Sequence, residues 1–383
     1  MATENNNKTL NVPNLRFPEF SGEWTKTKLG DIGTTLIGLT YSPKDVVPSG
    51  GTIVLRSSNI KGGLTDYNDI VRVNKKIKES IITRVDDLLI CARNGSARLI
   101  GKNAILKQED CGHTFGAFMM VYRAQNNKFV HQLLNTKRYY SQVGENLGAR
   151  INQITTSDLN SFEFYFPQTL NEQNKIASML SLLDDRIATQ IKIIEDLKKL
   201  KSAIRTKVFK QLESSCECWS EIGNMLQYEQ PSKYLIASTE YSDSYATPVL
   251  TANKAFILGY TDEEFGIYSK GECVIFDDFT MDVKFVNFPF KVKSSAIKIL
   301  TANSGNDLYF VYEYLQNLGL VSEEHKRHYI SEIEPMIVAC PTFEEQQNIS
   351  NLLRSFDSKI ECANRELTLY NKQKQYLLSQ MFI

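Results

Sequence analysis

Thr169-Leu-Asn-Glu-Gln-Asn-Lys-Ile-Ala-Ser-Met-Leu180 and Thr342-Phe-Glu-Glu-Gln-Gln-Asn-Ile-Ser-Asn-Leu-Leu353 are one phrase written twice, and that duplication decides the fold. A constant offset of 173 residues carries Thr169, Glu172, Gln173, Ile176, Leu180, Asp184, Ile187, Lys201 and Phe209 onto Thr342, Glu345, Gln346, Ile349, Leu353, Asp357, Ile360, Lys374 and Phe382. Gap-free agreement over about forty residues marks one structural unit used twice. Each copy opens on Thr-x-x-Glu, a capping box in which the Thr hydroxyl takes an orphan amide and the Glu reaches back to the cap. Neither copy holds Pro or Gly after the cap, so nothing ends the helix early.

The apolar positions follow 4-3 spacing. In the first copy the seam reads Ile176, Leu180, Leu183, Ile187, Gln190, Ile194, Leu197, Lys201, Ile204 and Val208. In the second it reads Ile349, Leu353, Phe356, Ile360, Ala363, Leu367, Tyr370, Lys374, Leu377 and Met381. Positions outside the seam are largely polar, so the pattern predicts a narrow coiled-coil stripe on helices roughly 60 Å long. Lys201 and Lys374 share one seam position, where a polar residue either fixes register or snorkels its ammonium outward.

The repeat extends beyond the helices. Trp24 followed by Leu29-Gly-Asp-Ile32 is matched by Trp219 followed by Ile222-Gly-Asn-Met225. Ile53–Asn59 and Pro248–Asn253 both read as a strand entering a polar turn, and Val85–Cys91 parallels Lys270–Phe276. Phe118–Tyr122 and Ala296–Leu300 read as core strands, and alternating strands at Phe162–Phe166 and Met336–Cys340 lead into the two long helices. Shorter helices are expected near Lys128–Val143 and Asp307–Leu318. The expected architecture is α+β: two strand-rich domains at 13–168 and 214–341, separated by helices at 169–213 and 342–383 that form an antiparallel intrachain coiled coil with a pseudo-twofold repeat. Residues 1–12, short, polar and rich in Asn, are expected to be disordered.

With 42% hydrophobic and 23% charged residues the composition is that of an ordinary globular protein, and no apolar run reaches membrane-spanning length. The expected location is cytoplasmic. Cys91, Cys111, Cys216, Cys218, Cys273, Cys340 and Cys362 show no zinc spacing and are expected as reduced thiols. His113 and His131 stand alone, while His325 and His328 lie in a charged stretch and read as solvated. The net charge of zero hides an asymmetry: residues 17–165 carry 19 Lys and Arg against 14 Asp and Glu, whereas residues 214–341 carry 9 against 18. A generic nucleic-acid binder would be basic throughout.

The opening Leu15-Arg-Phe-Pro-Glu-Phe-Ser-Gly-Glu-Trp24, the Glu-Gln-x-x-Ile at both helix starts and the domain-helix-domain-helix order resemble the specificity subunit of type I restriction-modification systems, from Pro13 to Ile383. The resemblance implies two target recognition domains, each reading half of a split DNA sequence, and helices that act as spacer and dock modification subunits. It implies a chain without catalysis of its own and without cofactors. S-adenosylmethionine, ATP and magnesium would sit on partners: two modification subunits and, through them, restriction subunits.

The residues agree with a lack of catalytic machinery. There is no Pro-Pro pair for an amino-methyltransferase motif, no Gly-x-Gly, no Gly-x-x-x-x-Gly-Lys and no His-Glu-x-x-His. Asp86-Asp87 or Asp277-Asp278 could be proposed as nuclease metal ligands, although such pairs are commonly turn residues. Base reading calls for Arg or Lys, Asn or Gln, Asp or Glu, and Ser or Thr. The first domain offers Arg56, Ser57, Ser58, Asn59 and Lys61, then Arg93, Asn94, Ser96 and Arg98, then Arg150, Asn152 and Gln153. The second offers Thr251, Asn253 and Lys254, then Asp277, Asp278 and Thr280, with Lys284, Lys291, Lys293, Lys326 and Arg327 for phosphates and the stretch from Lys284 to Lys298 facing DNA. Two rival readings remain: a coiled-coil scaffold with two protein-binding domains, and a stand-alone metal-dependent nuclease.

Overall fold

The structure, a computed structural model, describes residues 11–147, 152–238, 240–251, 256–322 and 326–383. Of the disordered leader expected at 1–12, residues 1–10 lie outside the described residues, as do Arg150, Asn253, Lys254 and His325, while Asn11 and Val12 are described. The chain divides into two compact units, residues 1–192 with 365–383 and residues 193–364. Each unit therefore owns one strand-rich domain and one half of each long helix, Leu170–Ser215 and Phe343–Met381.

In the first unit a four-stranded antiparallel sheet runs in the order Gly33–Ile37, Met119–Ala124, Leu88–Cys91, Asn103–Ile105. Met119–Ala124 is central, with Val121 opposite both Leu36 and Leu89. Leu88–Cys91 is buried throughout, the mark of a strand covered on both faces. A second sheet is built on Thr52–Leu55, which pairs parallel with Thr114–Phe115 and antiparallel with Val71–Val73. The second unit repeats this plan. Leu226–Glu229, Ile297–Ala302, Cys273–Asp277 and Val283–Val286 follow the same sheet order, and Thr247–Leu250 pairs parallel with Lys291–Val292. The expected helix near Lys128–Val143 is two, Asn127–Leu133 and Lys137–Leu147, while that at Leu308–Leu318 stands as read.

The Gly of each apolar-Gly-polar-apolar quartet has a steric cause. A Cβ on Gly30 would lie 2.9 Å from the Asn160 side chain, and one on Gly223 would lie 2.5 Å from that of Glu334. The tryptophans do not correspond. Trp24 is buried and donates to Glu172 Oε1 at 3.2 Å, whereas Trp219 lies within the strand Trp219–Glu221 and is 51% exposed. Counted back from the quartets, Trp219 stands two positions later than Trp24, so the apparent sequence match is out of register.

The seam residues are buried or half-buried in each unit, and most residues between them are exposed. In the first unit Lys374 Nζ meets Asp184 Oδ1 at 2.5 Å, and Gln190 Nε2 donates to Glu366 at 3.0 Å. In the second, Lys201 Nζ meets Asp357 Oδ1 at 2.6 Å. Both sets of contacts join an early residue of one helix to a late residue of the other, which makes the helices antiparallel. Because Lys201 and Asp184 are the repeat equivalents of Lys374 and Asp357, the two ion pairs are one interaction formed twice. The seam lysines set register.

The Glu-Gln phrase fastens each helix start to its domain. Gln173 Nε2 donates to the Pro167 carbonyl and Gln346 Nε2 to that of Pro341, at 3.2 and 3.0 Å. Their amide oxygens accept from Asn126 and from the backbone N–H of Asp307, the N-cap residues of the helices packed against them. Thr342 and Glu345 form the full capping box, with both return bonds at 3.0 and 3.4 Å. In the first copy only the Thr169 half forms. Arg16 takes the Glu172 carboxylate with two bonds of 2.7 and 2.8 Å, and a bidentate charge-assisted contact outcompetes a neutral amide. The Arg16–Trp24 stretch is thus a strap over the helix start, turned at Gly22, whose φ of 83° suits glycine. Asn11 also belongs to the strap, since its carbonyl accepts from Trp24 N–H at 2.8 Å.

All seven cysteines are free thiols. His328, read as solvated, is buried, with its ring nitrogens 2.9 Å from Ser322 Oγ and Glu332 Oε2. No helix among the described residues is long and apolar enough to cross a membrane, and no described cluster of His, Cys, Asp or Glu could hold a metal ion.

Candidate nucleic-acid interface

The two sheets of the first unit end around a cleft of about 980 Å³. Its wall brings together three segments far apart in sequence: Arg56, Ser57 and Ser58 after Thr52–Leu55, Arg93 and Asn94 after Leu88–Cys91, and Asn152. Strand ends converge there because Gly116 N–H donates to Leu55 and Leu39 N–H to Phe115, stitching the sheets across the cleft floor. Gly38 is obligatory at that crossing, since a Cβ would lie 2.2 Å from the Gly116 carbonyl oxygen.

Side chains that sequence reasoning grouped as readers separate into two kinds. Asn59 is fully buried and braces its own turn, accepting from Arg56 N–H at 2.9 Å and donating to the Asp66 and Asp69 carbonyls. Asn94 donates to Ser57 Oγ at 2.9 Å and accepts from Ser96 N–H at 3.0 Å, and Asn152, held at φ 51°, donates to the Gly95 carbonyl. These amides build the wall. Arg56 lines it too, but its guanidinium is paired with Asp69 at 2.8 Å. Lys61 pairs with Asp66 at 3.0 Å, and Lys61, Ser96, Arg98 and Gln153 do not line the cleft. Arg93 is exposed, with its guanidinium carbon 5.3 Å from the centroid of the Phe118 ring. Phe118, Tyr41, Thr40 and Asp69 also line the cleft and were missed. Phe118 in particular reads as the first core residue of a strand, yet the strand begins at Met119 and the ring is 60% exposed.

In the second unit several expected DNA contacts prove to be internal struts. Lys291 is fully buried, pairs with Glu263 at 2.6 Å and donates to the Phe265 carbonyl, so it cannot reach a phosphate. Lys298 is buried against Asp278 at 3.3 Å, so the stretch from Lys284 to Lys298 does not face solvent as a whole. Asp278 also accepts from the N–H groups of His328 and Tyr329, and Asp277 Oδ1 from those of Phe279 and Thr280. These Asp side chains anchor their turn and loop from within, where residue type alone nominates them for base reading or metal ligation. Asp87 likewise is held by Arg123 at 2.7 Å. Lys326 pairs with Glu332 at 3.0 Å, and Arg327 lies 4.0 Å from Asp278. Thr280 and Lys293 are exposed, and Thr251 and Lys284 half-buried. Among the described residues neither Lys284 nor Lys293 has a carboxylate partner.

The first unit therefore pairs a cleft walled by strand-end loops, rich in Arg, Asn and Ser, with a duplicated antiparallel helix pair. Residues 21–199 match the family described as the type I restriction modification DNA specificity domain. The chain is 40% identical over 176 residues to the EcoR124I/EcoR124II type I restriction enzyme specificity subunit of Escherichia coli, a match spanning 43% of this chain and 44% of that protein, so under half of that relative's length. It is 25% identical over 423 aligned positions to the protein named for the MjaX type I restriction enzyme specificity subunit of Methanocaldococcus jannaschii, covering 97% of this chain and 96% of that one. In fold it resembles the crystal structure of the type I restriction-modification S subunit from M. genitalium, with a TM-score of 0.63 at 17% identity over 97% of this chain and 99% of that one. Residues 21–199 thus carry a type I restriction modification DNA specificity domain, and the chain as a whole is similar in sequence and fold to type I specificity subunits.

Proposed function

We propose that this chain is the non-catalytic, DNA-reading subunit of a type I restriction-modification complex. It reads a split and asymmetric duplex target, one short half-site per strand-rich domain. The observation that carries this reading is the convergence of three polar loops on one cleft in a domain that matches the specificity family. Unlike side chains in the second unit's loops make the half-sites unlike. The stiff helices keep the half-sites a fixed number of unread base pairs apart, in the way that rigid dimers fix half-site spacing.

Two modification subunits dock on the helices, whose outward face leaves Leu182 and Leu369 exposed, and restriction subunits join through them. S-adenosylmethionine, ATP and magnesium belong to those partners, and the complex works in the cytoplasm. The acidic excess of residues 214–341 fits a partner-facing surface, leaving Lys284 and Lys293 for phosphates.

The test is selection from a randomised duplex library by the full chain assembled with its modification subunits. Two unlike short motifs at one fixed separation are expected. Enrichment of a single uninterrupted motif, or of none, would overturn the reading, and nicking of DNA by the chain alone with magnesium would return it to the nuclease class.

A further inference from the structure

We propose that Arg93 is a guanine-reading residue of the first domain and that Phe118 is the platform that orients it. The proposal rests on the DNA-reading function above and adds the base and the side chain. Three observations carry it. First, among the residues lining the cleft, Arg56 has its charge matched by Asp69, whereas Arg93 has no carboxylate partner among the described residues. Second, the amides that could read adenine, Asn94 and Asn152, spend their hydrogen bonds on the wall itself. Third, Arg93 is fixed at both ends. Its N–H and that of Ala92 both donate to the Phe118 carbonyl at 3.0 Å, Arg93 forms a β-bridge with Gln153, and its guanidinium lies over the Phe118 ring.

A guanidinium drawn over an aromatic ring keeps N–H groups free for other partners. Those groups match the O6 and N7 acceptors of guanine in the major groove, and positioning the side chain beforehand reduces the rotamer freedom lost on binding. An exposed ring beside a free cation would be an unexplained apolar surface in a free-standing domain; as a platform it has a use. Phe118 is a positioning residue, because it acts through Arg93.

The experiment uses the full chain assembled with its modification subunits and the same randomised duplex library. Wild type should select a guanine in one of its two half-sites. Arg93→Lys keeps the charge but not the fork, and it should lose discrimination at that one position by roughly 5- to 150-fold while the other half-site and the salt dependence stay unchanged. Arg93→Ala should lose the same discrimination and no more. Phe118→Leu should lose part of it, and Phe118→Tyr, which restores the ring, should recover it.

An Arg93→Lys motif identical to wild type would overturn the proposal and make Arg93 a phosphate contact. A wild-type half-site pair lacking guanine would also overturn it. Absence of any split motif in the wild type would overturn the DNA-reading function itself, and this proposal with it.

Discussion

At the scale of single residues, the informative side chains are those whose environment contradicts their chemical type. His131 is buried on Asn127–Leu133 beside the Lys374–Asp184 pair. Burial lowers its pKa from the ordinary 6.5 to about 4, with Asp184 pulling it up and Lys374 pushing it down. The folded protein therefore holds a neutral imidazole over a range where the unfolded chain binds a proton. Stability is full above the unfolded pKa and falls as pH drops through the window from about 6.5 to about 4. That window corresponds to about 3 kcal/mol, and urea titrations from pH 7 to pH 4 should show a slope that His131→Gln flattens. Lys291 makes the opposite case, a charge kept because it is paired. Removing it in Lys291→Ala strands the Glu263 carboxylate and should cost about 3 kcal/mol in thermal or urea unfolding, with the salt slope of DNA binding unchanged. A reduced slope without destabilisation would restore it as a phosphate contact.

Among elements, the helix pair was the most legible in sequence, because its period, caps and duplicated Lys and Asp positions all lie on one strand of text. What could not be read was where those lysines go, since partners in an antiparallel pair are over 150 positions away. The two equivalent pairs also differ in depth. Lys201 additionally meets Glu313, whose side chain is wholly buried, at 2.6 Å. Removing Lys201 leaves that buried carboxylate with Arg205 at 3.3 Å, whereas Asp184 is about a quarter exposed and keeps a bond of 2.9 Å from Gln132 when Lys374 is removed. Lys201→Met should therefore destabilise by about 3 kcal/mol and Lys374→Met by about 1 kcal/mol, measured by chemical unfolding of the full chain. Equal costs would mean that the register pairs act without their surroundings. The strands were legible as pairs of matching segments, and the sheet orders repeat as the matches imply. The tryptophan match misled because two unlike phrases each placed Trp a few residues before the Gly quartet, and only strand register separates them.

At the scale of the whole molecule, the duplication, the α+β class and the likeness to type I specificity subunits were readable, while the cleft wall was not. Residue type nominated Asn59, Asp278 and Lys291 as contacts, and burial made them struts. Type alone could not reveal Phe118, because an aromatic beside a buried strand looks like core until the strand's first residue is known. Loops carry both structural and reading polar groups, and only partners decide between them.

The strap carries Leu15 to the far end of the second long helix. Leu15 N–H donates to the Gln380 carbonyl at 2.9 Å, and Phe382 packs near Trp24, with ring centroids 6.3 Å apart. Beginning and end are thus neighbours in the first unit, and the stretch from Ser215 to Cys218 is exposed or half-buried linker between helix and strand. A circular permutant that splices Ile383 to Asn11 through a short flexible linker and opens at Glu217 should fold with an unfolding midpoint close to that of the parent. Chain order around the first unit is then a convention of translation, because Leu15 and Gln380 lie side by side whichever peptide bond is left open.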